Sequence, residues 1–411
     1  MDRQTLVARI AVRTATCGLL LTGSDAVALF DDRLEVVVAQ SATHDDNVFR
    51  LPRGIDPVAA LGTPDLSDTY HATSVGLAFD VPQASHRYRG DVGFDRYQFG
   101  RFDDLELEGH HGSFDWTFSG ADVLTTRLGY TESRTLASLS NLQGGAQSTA
   151  PNFIDYRRTF ADATYEITPQ WALRAELGRG AQENGAPLYA LSDLRVTTER
   201  LELAYATPAG TRLGLEMQFV DGRLPNRQVV AAQAIDNSFD ERQVGTFIEW
   251  QTSRHSQLDV RLGRVRRGYD DLGVRNYTGN TYHVTYAWQP VDSLTLTAIK
   301  QRGISATEEV NVGFVLVEGA GLRSHWRHAD RVELTVDFER GNRAYRGDPL
   351  FALGLVPQPA ERVSLKAVSA LLHVTPIVTL DFSWRNERRS ANAGGGSYRV
   401  NVAGIGVRCS F

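Results

Sequence analysis

The sequence lacks any apolar run approaching the ~18 residues that a membrane-spanning helix needs. Apolar residues make up 42% of the 411 positions and the mean hydropathy is -0.27, which excludes a helical membrane protein. Cysteine is nearly absent, with Cys17 and Cys409 only. Loss of the amino terminus would leave one thiol, which cannot form an internal disulfide. Lysine is confined to Lys300 and Lys366, so arginine carries almost all the positive charge. With a net charge of -6 nothing suggests a polyanion-binding patch covering the surface, and no nucleic-acid partner is expected. Prolines are few and fall mainly outside the alternating segments described below.

Chemistry-bearing constellations are missing as well. No Gly-x-Ser-x-Gly elbow occurs. Gly394-Gly395-Gly396-Ser397 has no following lysine and helix, so it reads as a loop and not as a phosphate cradle. His110-His111 lacks an accompanying carboxylate-histidine spacing, and His325 and His328 straddle a turn signal. Asp45-Asp46 and Asp103-Asp104 read as solvated loop acids. The expectation is therefore no catalytic residue, no metal and no cofactor, in a chain that is not an enzyme.

What the sequence does hold is aromatic and glycine-rich: 18 Phe, 14 Tyr, 6 Trp and 37 Gly. Arg3, Arg9 and Arg13 precede a short apolar stretch at Gly18–Leu21, and Ala26-Val27-Ala28 follows as a small-x-small site. This order is that of a secretory signal, assigned to residues 1–28. From Leu34 onward the dominant period is two. Val75, Leu77, Phe79 and Val81 alternate, as do Leu213, Leu215, Met217 and Phe219, and then Val332, Leu334, Val336 and Phe338. Such alternation gives each strand one apolar and one polar face.

Tight turn signals lie at Pro82–Ser85, Ser119–Ala121, Thr168–Gln170, Thr207–Gly210, Thr252–His255, Gln289–Asp292, Arg327–Asp330 and Thr375–Ile377. Longer polar stretches separate them. Short connections alternating with long ones define an all-β, antiparallel, up-and-down transmembrane barrel over residues 29–411. The spacing gives about eighteen strands, with sixteen as the other count. Closure is enforced, because an open edge in lipid leaves backbone groups unpaired at several kcal/mol each. The expected location is the outer membrane of a Gram-negative bacterium, with membrane lipid and the barrel assembly machinery as partners.

Trp116, Trp171, Trp250, Trp288 and Trp326 all lie within about three residues of a short turn, the pattern of an aromatic girdle on the periplasmic rim. The chain ends in strict alternation, Ala403, Ile405, Val407, Cys409 and Phe411, and a terminal aromatic at this phase reads as a carboxy-terminal assembly signal. If the apolar sets face lipid, the opposite parity lines a lumen. That parity holds Arg87, Arg89, Asp91 and Asp95; Arg174 and Glu176; Arg212 and Glu216; Asp259 and Arg261; Glu333 and Asp337; Asp381 and Arg385; and Arg408. Charges at mid-depth on the lipid face would cost up to ~2–4 kcal/mol each, which makes the inward choice the favoured one.

One segment is more specific than the period. Ser41-Ala42-Thr43-His44-Asp45-Asp46-Asn47-Val48-Phe49-Arg50-Leu51-Pro52, with Ser67-Asp68 and the strand after it, resembles the start of the EpsL-type outer-membrane proteins. Those accompany exosortase B and exopolysaccharide biosynthesis. The hairpin Tyr286-Ala287-Trp288-Gln289-Pro290 leading into Leu294-Thr295-Leu296 is similar to that family too. The resemblance implies a passive channel for export of exopolysaccharide, fed by periplasmic polysaccharide-export proteins, with polymer touching the lumen charges named above. The alternative is a general or sugar-selective diffusion porin for small solutes.

Overall fold

Alternation with period two yields long strands, and the computed structural model places eighteen of them in one sheet. The structure describes residues 33–120, 123–137, 152–226, 229–230, 233–234, 236–271, 273–305, 314–346, 360–392 and 397–411. Residues 1–28, the expected signal peptide, lie outside the described residues. In chain order the strands are β1 (Leu34–Asp45), β2 (Asp68–Gln83), β3 (His86–Phe99), β4 (Leu107–Gly120), β5 (Leu124–Leu136) and β6 (Phe153–Glu166). They continue with β7 (Trp171–Asn184), β8 (Leu194–Ala206), β9 (Arg212–Arg223), β10 (Phe239–Ser253), β11 (Ser256–Tyr269) and β12 (Tyr277–Val291). The last six are β13 (Leu294–Ser305), β14 (Phe314–His328), β15 (Val332–Arg346), β16 (Ala360–His373), β17 (Val378–Ala391) and β18 (Tyr398–Ser410).

Each strand pairs antiparallel with its sequence neighbours, and the sheet then closes on itself. β1 pairs with β18 from Val37 opposite Ser410 to Asp45 opposite Val402. Phe411 completes the seam: its N–H donates to the Val36 carbonyl at 2.9 Å, and Val36 N–H donates to the Phe411 carbonyl at 3.0 Å. No strand edge is left to meet lipid, which is the condition for a sheet to span a bilayer. The strand count read from the turns is eighteen, and the closed barrel has eighteen.

Seven of the tight turns fall where the sequence signals put them, and the Ser119–Ala121 signal runs into residues outside the described ones. In the β14–β15 turn both central residues, Ala329 (φ 50°) and Asp330 (φ 51°), are left-handed. That geometry follows the right-handed twist of the flanking strands. The opposite rim carries the longer connections. The β9–β10 connection adds a small hairpin, Val229–Val230 against Gln233–Ala234. The β1–β2 connection carries a short helix, α1 (Pro57–Leu61), which Asp56 caps by accepting from Val58 N–H at 3.0 Å. It stops at Gly62, whose φ of 72° suits a residue without a Cβ.

The Asp45–Leu51 segment is not the solvated loop its acids suggest. Asp45 is 5% exposed and pairs with Arg50 at 2.8 Å. Asp46 accepts from both the backbone and the side-chain nitrogen of Asn401 on β18, each at 2.7 Å. Asn47 and Leu51 bond reciprocally, at 2.8 and 3.1 Å. Asp68 accepts from the backbone N–H groups of Arg101 and Phe102, each at 3.0 Å. Val48 and Phe49 then pack with Leu105, and the Phe49 ring meets Phe102 edge-on at 4.8 Å. The segment is a clip that fastens the first loop across the barrel seam, and it consumes both acids in doing so.

Candidate functional site: the barrel lumen

Residues opposite one another in an antiparallel ladder share a face. One parity can therefore be followed strand by strand around the closed sheet. One face carries Val75, Leu77, Phe94, Leu128, Leu177, Leu215, Met217, Ile248, Leu262, Phe338, Phe382 and Ile405, all exposed large apolar side chains. The other face is concave. Arg261 on β11 reaches Glu202 on β8 at 3.8 Å, three strands away, and only side chains converging inward can span that gap. The apolar face is thus outside and the charged face lines the lumen.

The registers place Arg87, Arg89, Asp91 and Asp95 on the inner face of β3, and Arg174 and Glu176 on that of β7. Arg212 and Glu216 stand on the inner face of β9, and Asp259 and Arg261 on that of β11. Glu333 and Asp337 follow on β15, Asp381 and Arg385 on β17, and Arg408 on β18. Trp116, Trp171, Trp250, Trp288 and Trp326 stand on the outer face at the short-turn rim. There the Trp116 indole donates to His86 at 3.1 Å, and Trp171 lies 5.0 Å from Tyr205.

Four of these inner charges, Arg212, Glu216, Asp259 and Arg261, meet in one network with Glu202 and Glu249. Arg261 contacts Glu216 at 2.9 Å, Glu249 at 3.2 Å, and Glu202 and Asp259 at 3.8 Å each. Arg212 bridges Glu249 at 2.8 Å and Glu202 at 3.6 Å. Glu202 and Glu216, directly opposite in the β8–β9 ladder, are only 5% and 6% exposed. Two adjacent buried carboxylates need a shared cation, and Arg261 supplies it. Its guanidinium is held over the Phe247 ring, 5.1 Å to the centroid. The ring in turn covers Gly214, where a Cβ would come within 2.6 Å of it. A side chain at Gly214 would meet the Leu203 carbonyl of the neighbouring strand as well as the Phe247 ring.

Above this network the wall is hollowed into a recess of about 480 Å3 that includes Arg200, Gln218, Gln243, Arg261, His283 and Gln301. Amides, a guanidinium and an imidazole present both donors and acceptors, which suits hydroxyl-bearing solutes. The other inner charges are spread around the wall. Asp80 holds Arg87 and Arg89; His111 lies 3.3 Å from Asp95; Arg323 lies 2.6 Å from Asp337. Glu333 gathers Arg327, His373 and His325 at 3.1 to 4.0 Å. Among the described residues Asp381, Arg385 and Arg408 make no ion pair. Also among the described residues, no group of three His, Cys, Asp or Glu side chains is arranged to hold a metal ion.

Sequence reasoning put Gln218 on the inner face by parity but missed Glu202, Glu249 and the recess amides Gln243 and Gln301. The signal for the two acids was present: Glu202 lies between Leu201 and Leu203, and Glu249 between Ile248 and Trp250. The recess itself depends on register across seven strands, β8 to β14, and had no local signature.

These features define a class: a closed outer-membrane barrel with a polar, charge-lined interior. Residues 203–411 match the family model described as "Putative beta-barrel porin 2", so the chain belongs to that family. Among solved structures it is similar to OccK2 of Pseudomonas aeruginosa, with a TM-score of 0.52 and 11% identity over 93% of this chain and 98% of that one. A BenF-like porin from Pseudomonas fluorescens Pf-5 gives 0.50 and 10% identity over 92% and 98%. A complex of OccK2 with glucuronate gives 0.50 and 11% over the same shares. At such identities the likeness is one of fold. No curated protein matches the sequence. The protein is an outer-membrane porin-type barrel of a Gram-negative bacterium. The porin family fits the diffusion reading better than the exopolysaccharide exporter that the first-loop resemblance implies.

Proposed function

We propose that the protein is a passive diffusion channel for small polar solutes, sugars and sugar acids among them. The observation that carries this is the closed ring of eighteen strands with its charged parity turned inward. A ring of that size leaves room for an aqueous path, whereas eight strands are filled by their own side chains. The recess beside Arg200, Gln218, Gln243 and Gln301 supplies exchangeable hydrogen bonds to a passing hydroxyl or carboxylate. Paired wall charges favour weak, replaceable contacts, because an ion already satisfied gains little from holding a solute. OccK2, a barrel of the same fold, has been crystallised with glucuronate, a solute of this class. The EpsL likeness of the first loop supports export of exopolysaccharide less well, since the segment that carries it works as the seam clip.

The test is reconstitution. Purified protein in planar bilayers is expected to give stepwise ohmic conductance, and proteoliposomes to swell in small sugars at a rate falling with solute size. Absence of conductance from correctly folded protein would overturn the channel reading. Passage of long polysaccharide with exclusion of monosaccharides would replace it with the exporter.

A further inference from the structure

Two five-strand stretches of the outward face above the apolar belt, one on each side of β11 and β12, are unlike. On β6 to β10 each strand carries one acid and one base there, such as Asp155 with Arg157 and Asp240 with Arg242. Several are paired: Arg195 lies 3.6 Å from Glu183, Arg223 3.6 Å from Asp221, and Arg134 4.0 Å from Asp155. On β13 to β17 the same band holds Lys300, Arg302, Arg340, Arg362, Lys366 and Arg388, against the single acid Glu318. Glu318 is engaged by Arg302 at 3.8 Å. Lys300, Arg340, Arg362, Lys366 and Arg388 are exposed and, among the described residues, have no ion-pair partner.

The ladder registers arrange this stretch as a comb. Lys300 lies opposite Ala320, Ala320 opposite Arg340, Arg340 opposite Ser364, and Ser364 opposite Arg388. Basic side chains thus stand on alternate strands, about 10 Å apart at the usual strand spacing, with small residues between them. A second row, Arg302, Glu318, Asn342 and Arg362, runs just above. The outward apolar pair Ile304 and Leu316 lies beyond the second row, and the lower row begins above outward Ala298 on β13, Phe338 on β15 and Trp384 on β17. That is the level at which hydrocarbon gives way to head groups.

We propose that this face binds the phosphate groups of an anionic lipid in the leaflet on the long-loop side. Charge complementarity selects the occupant. A second copy presenting this face would repel it, and one presenting the β6–β10 face would bring an arginine with every acid, three of the five acids being already paired. Guanidinium forks match phosphate oxygens two at a time, and the gaps over Ala320 and Ser364 admit a head group between them. The inference requires the barrel in its membrane but does not depend on what passes through the lumen.

Folded protein in detergent is titrated with diphosphoryl lipid A and with the same acyl species lacking phosphate, and bound lipid is counted by native mass spectrometry. One basic residue near an anionic head group is worth about fivefold in affinity, so Arg340→Gln/Arg362→Gln/Arg388→Gln is expected to weaken binding about a hundredfold. The matched variant on the balanced stretch, Arg157→Gln/Arg179→Gln/Arg242→Gln, is expected to leave it unchanged. Heat-modifiable mobility on gels verifies folding; should the triple variant fail to fold, Lys300→Gln and Arg340→Gln alone are each expected to lose about fivefold. Equal binding of the phosphate-free lipid, equal loss in both triple variants, or displacement by millimolar inorganic phosphate would each overturn the proposal.

Discussion

Arg389 and Glu361 offer the sharpest test of the structure, because both are enclosed by the wall that they help to build. Their side chains are 2% and 0% exposed, and Arg389 is hydrogen-bonded to Glu361. Tyr345 donates to the other Glu361 oxygen at 2.8 Å, and Arg389 donates to the Tyr345 hydroxyl at 3.2 Å. Arg389→Met removes the cation, keeps most of the side-chain volume and leaves a buried carboxylate held by a phenol. Loss of one member of such a pair costs about 3–5 kcal/mol. Arg389→Met with Glu361→Leu removes both charges and leaves only neutral hydrogen bonds unmade, at about 1–2 kcal/mol. Equilibrium urea unfolding in lipid vesicles, followed by tryptophan fluorescence, measures both. The reasoning fails if the single variant lies within about 1 kcal/mol of wild type, or if the double variant is no more stable than the single.

Three further outcomes follow from other parts of the molecule. Arg261→Gln removes the cation shared by Glu202, Glu216, Glu249 and Asp259; the potassium-to-chloride permeability ratio in bilayer recordings is expected to rise by up to about fivefold at low salt and to relax as salt screens the wall, and an unchanged ratio would place this network outside the ion path. Ala329→Gly relieves a non-glycine residue at φ 50° in the β14–β15 turn and is expected to stabilise the barrel by about 1 kcal/mol in the same urea assay, with a loss of stability counting against the turn geometry. Asp65 is held down to about 2, first by the Ser67 N–H, then by the Ser67 hydroxyl and by Arg101. A carboxyl depressed in the folded state stabilises above its unfolded pKa and loses that contribution as pH falls through the folded value, so this tie is complete above about pH 4 and gone only near pH 2; a carbon-13 titration of Asp65 with its midpoint at the ordinary 3.8 would refute it.

The fold was legible because lipid outside inverts the usual pattern and makes every strand declare its faces. A soluble sheet can hide a charge in a solvated outer face, whereas here the residues flanking Leu215 or Val336 had to turn inward. Turn chemistry was equally explicit, and the tryptophans near five of the tight turns set the rim. The interior was much less legible. Parity names the inner residues without saying who meets whom. Arg261 finds Glu202 because β8 to β11 curve toward a common axis, and Arg389 finds Tyr345 across β16 for the same reason. Parity also misassigns texture: Phe247, Val265 and Val400 are inward yet almost wholly buried, so apolar side chains floor parts of a polar lumen. Asp45 and Asp46 failed differently, since a local reading could not supply Asn401, more than three hundred residues away.

The two faces of the wall solve the charge problem in opposite ways, and the contrast bears on function. Inside, nearly every arginine of the β7–β11 wall has a carboxylate within reach, because a curved sheet brings side chains together and a shared cation lets buried acids coexist. Outside, the same curvature splays side chains apart, so a charge there pairs only with a neighbour on its own or the next strand. The β6–β10 stretch meets that need with acids and bases in alternation. The β13–β17 stretch does not, although the sequence had acidic residues to place: Glu339, Glu361 and Glu387 on those strands all sit at the inward parity. Shifting any of them by one position would have neutralised part of the comb. A surface that forgoes pairing where pairing was one residue away is organised for a counter-charge that the described residues do not supply, and at the end of an apolar belt the proposed counter-charge is the lipid phosphate.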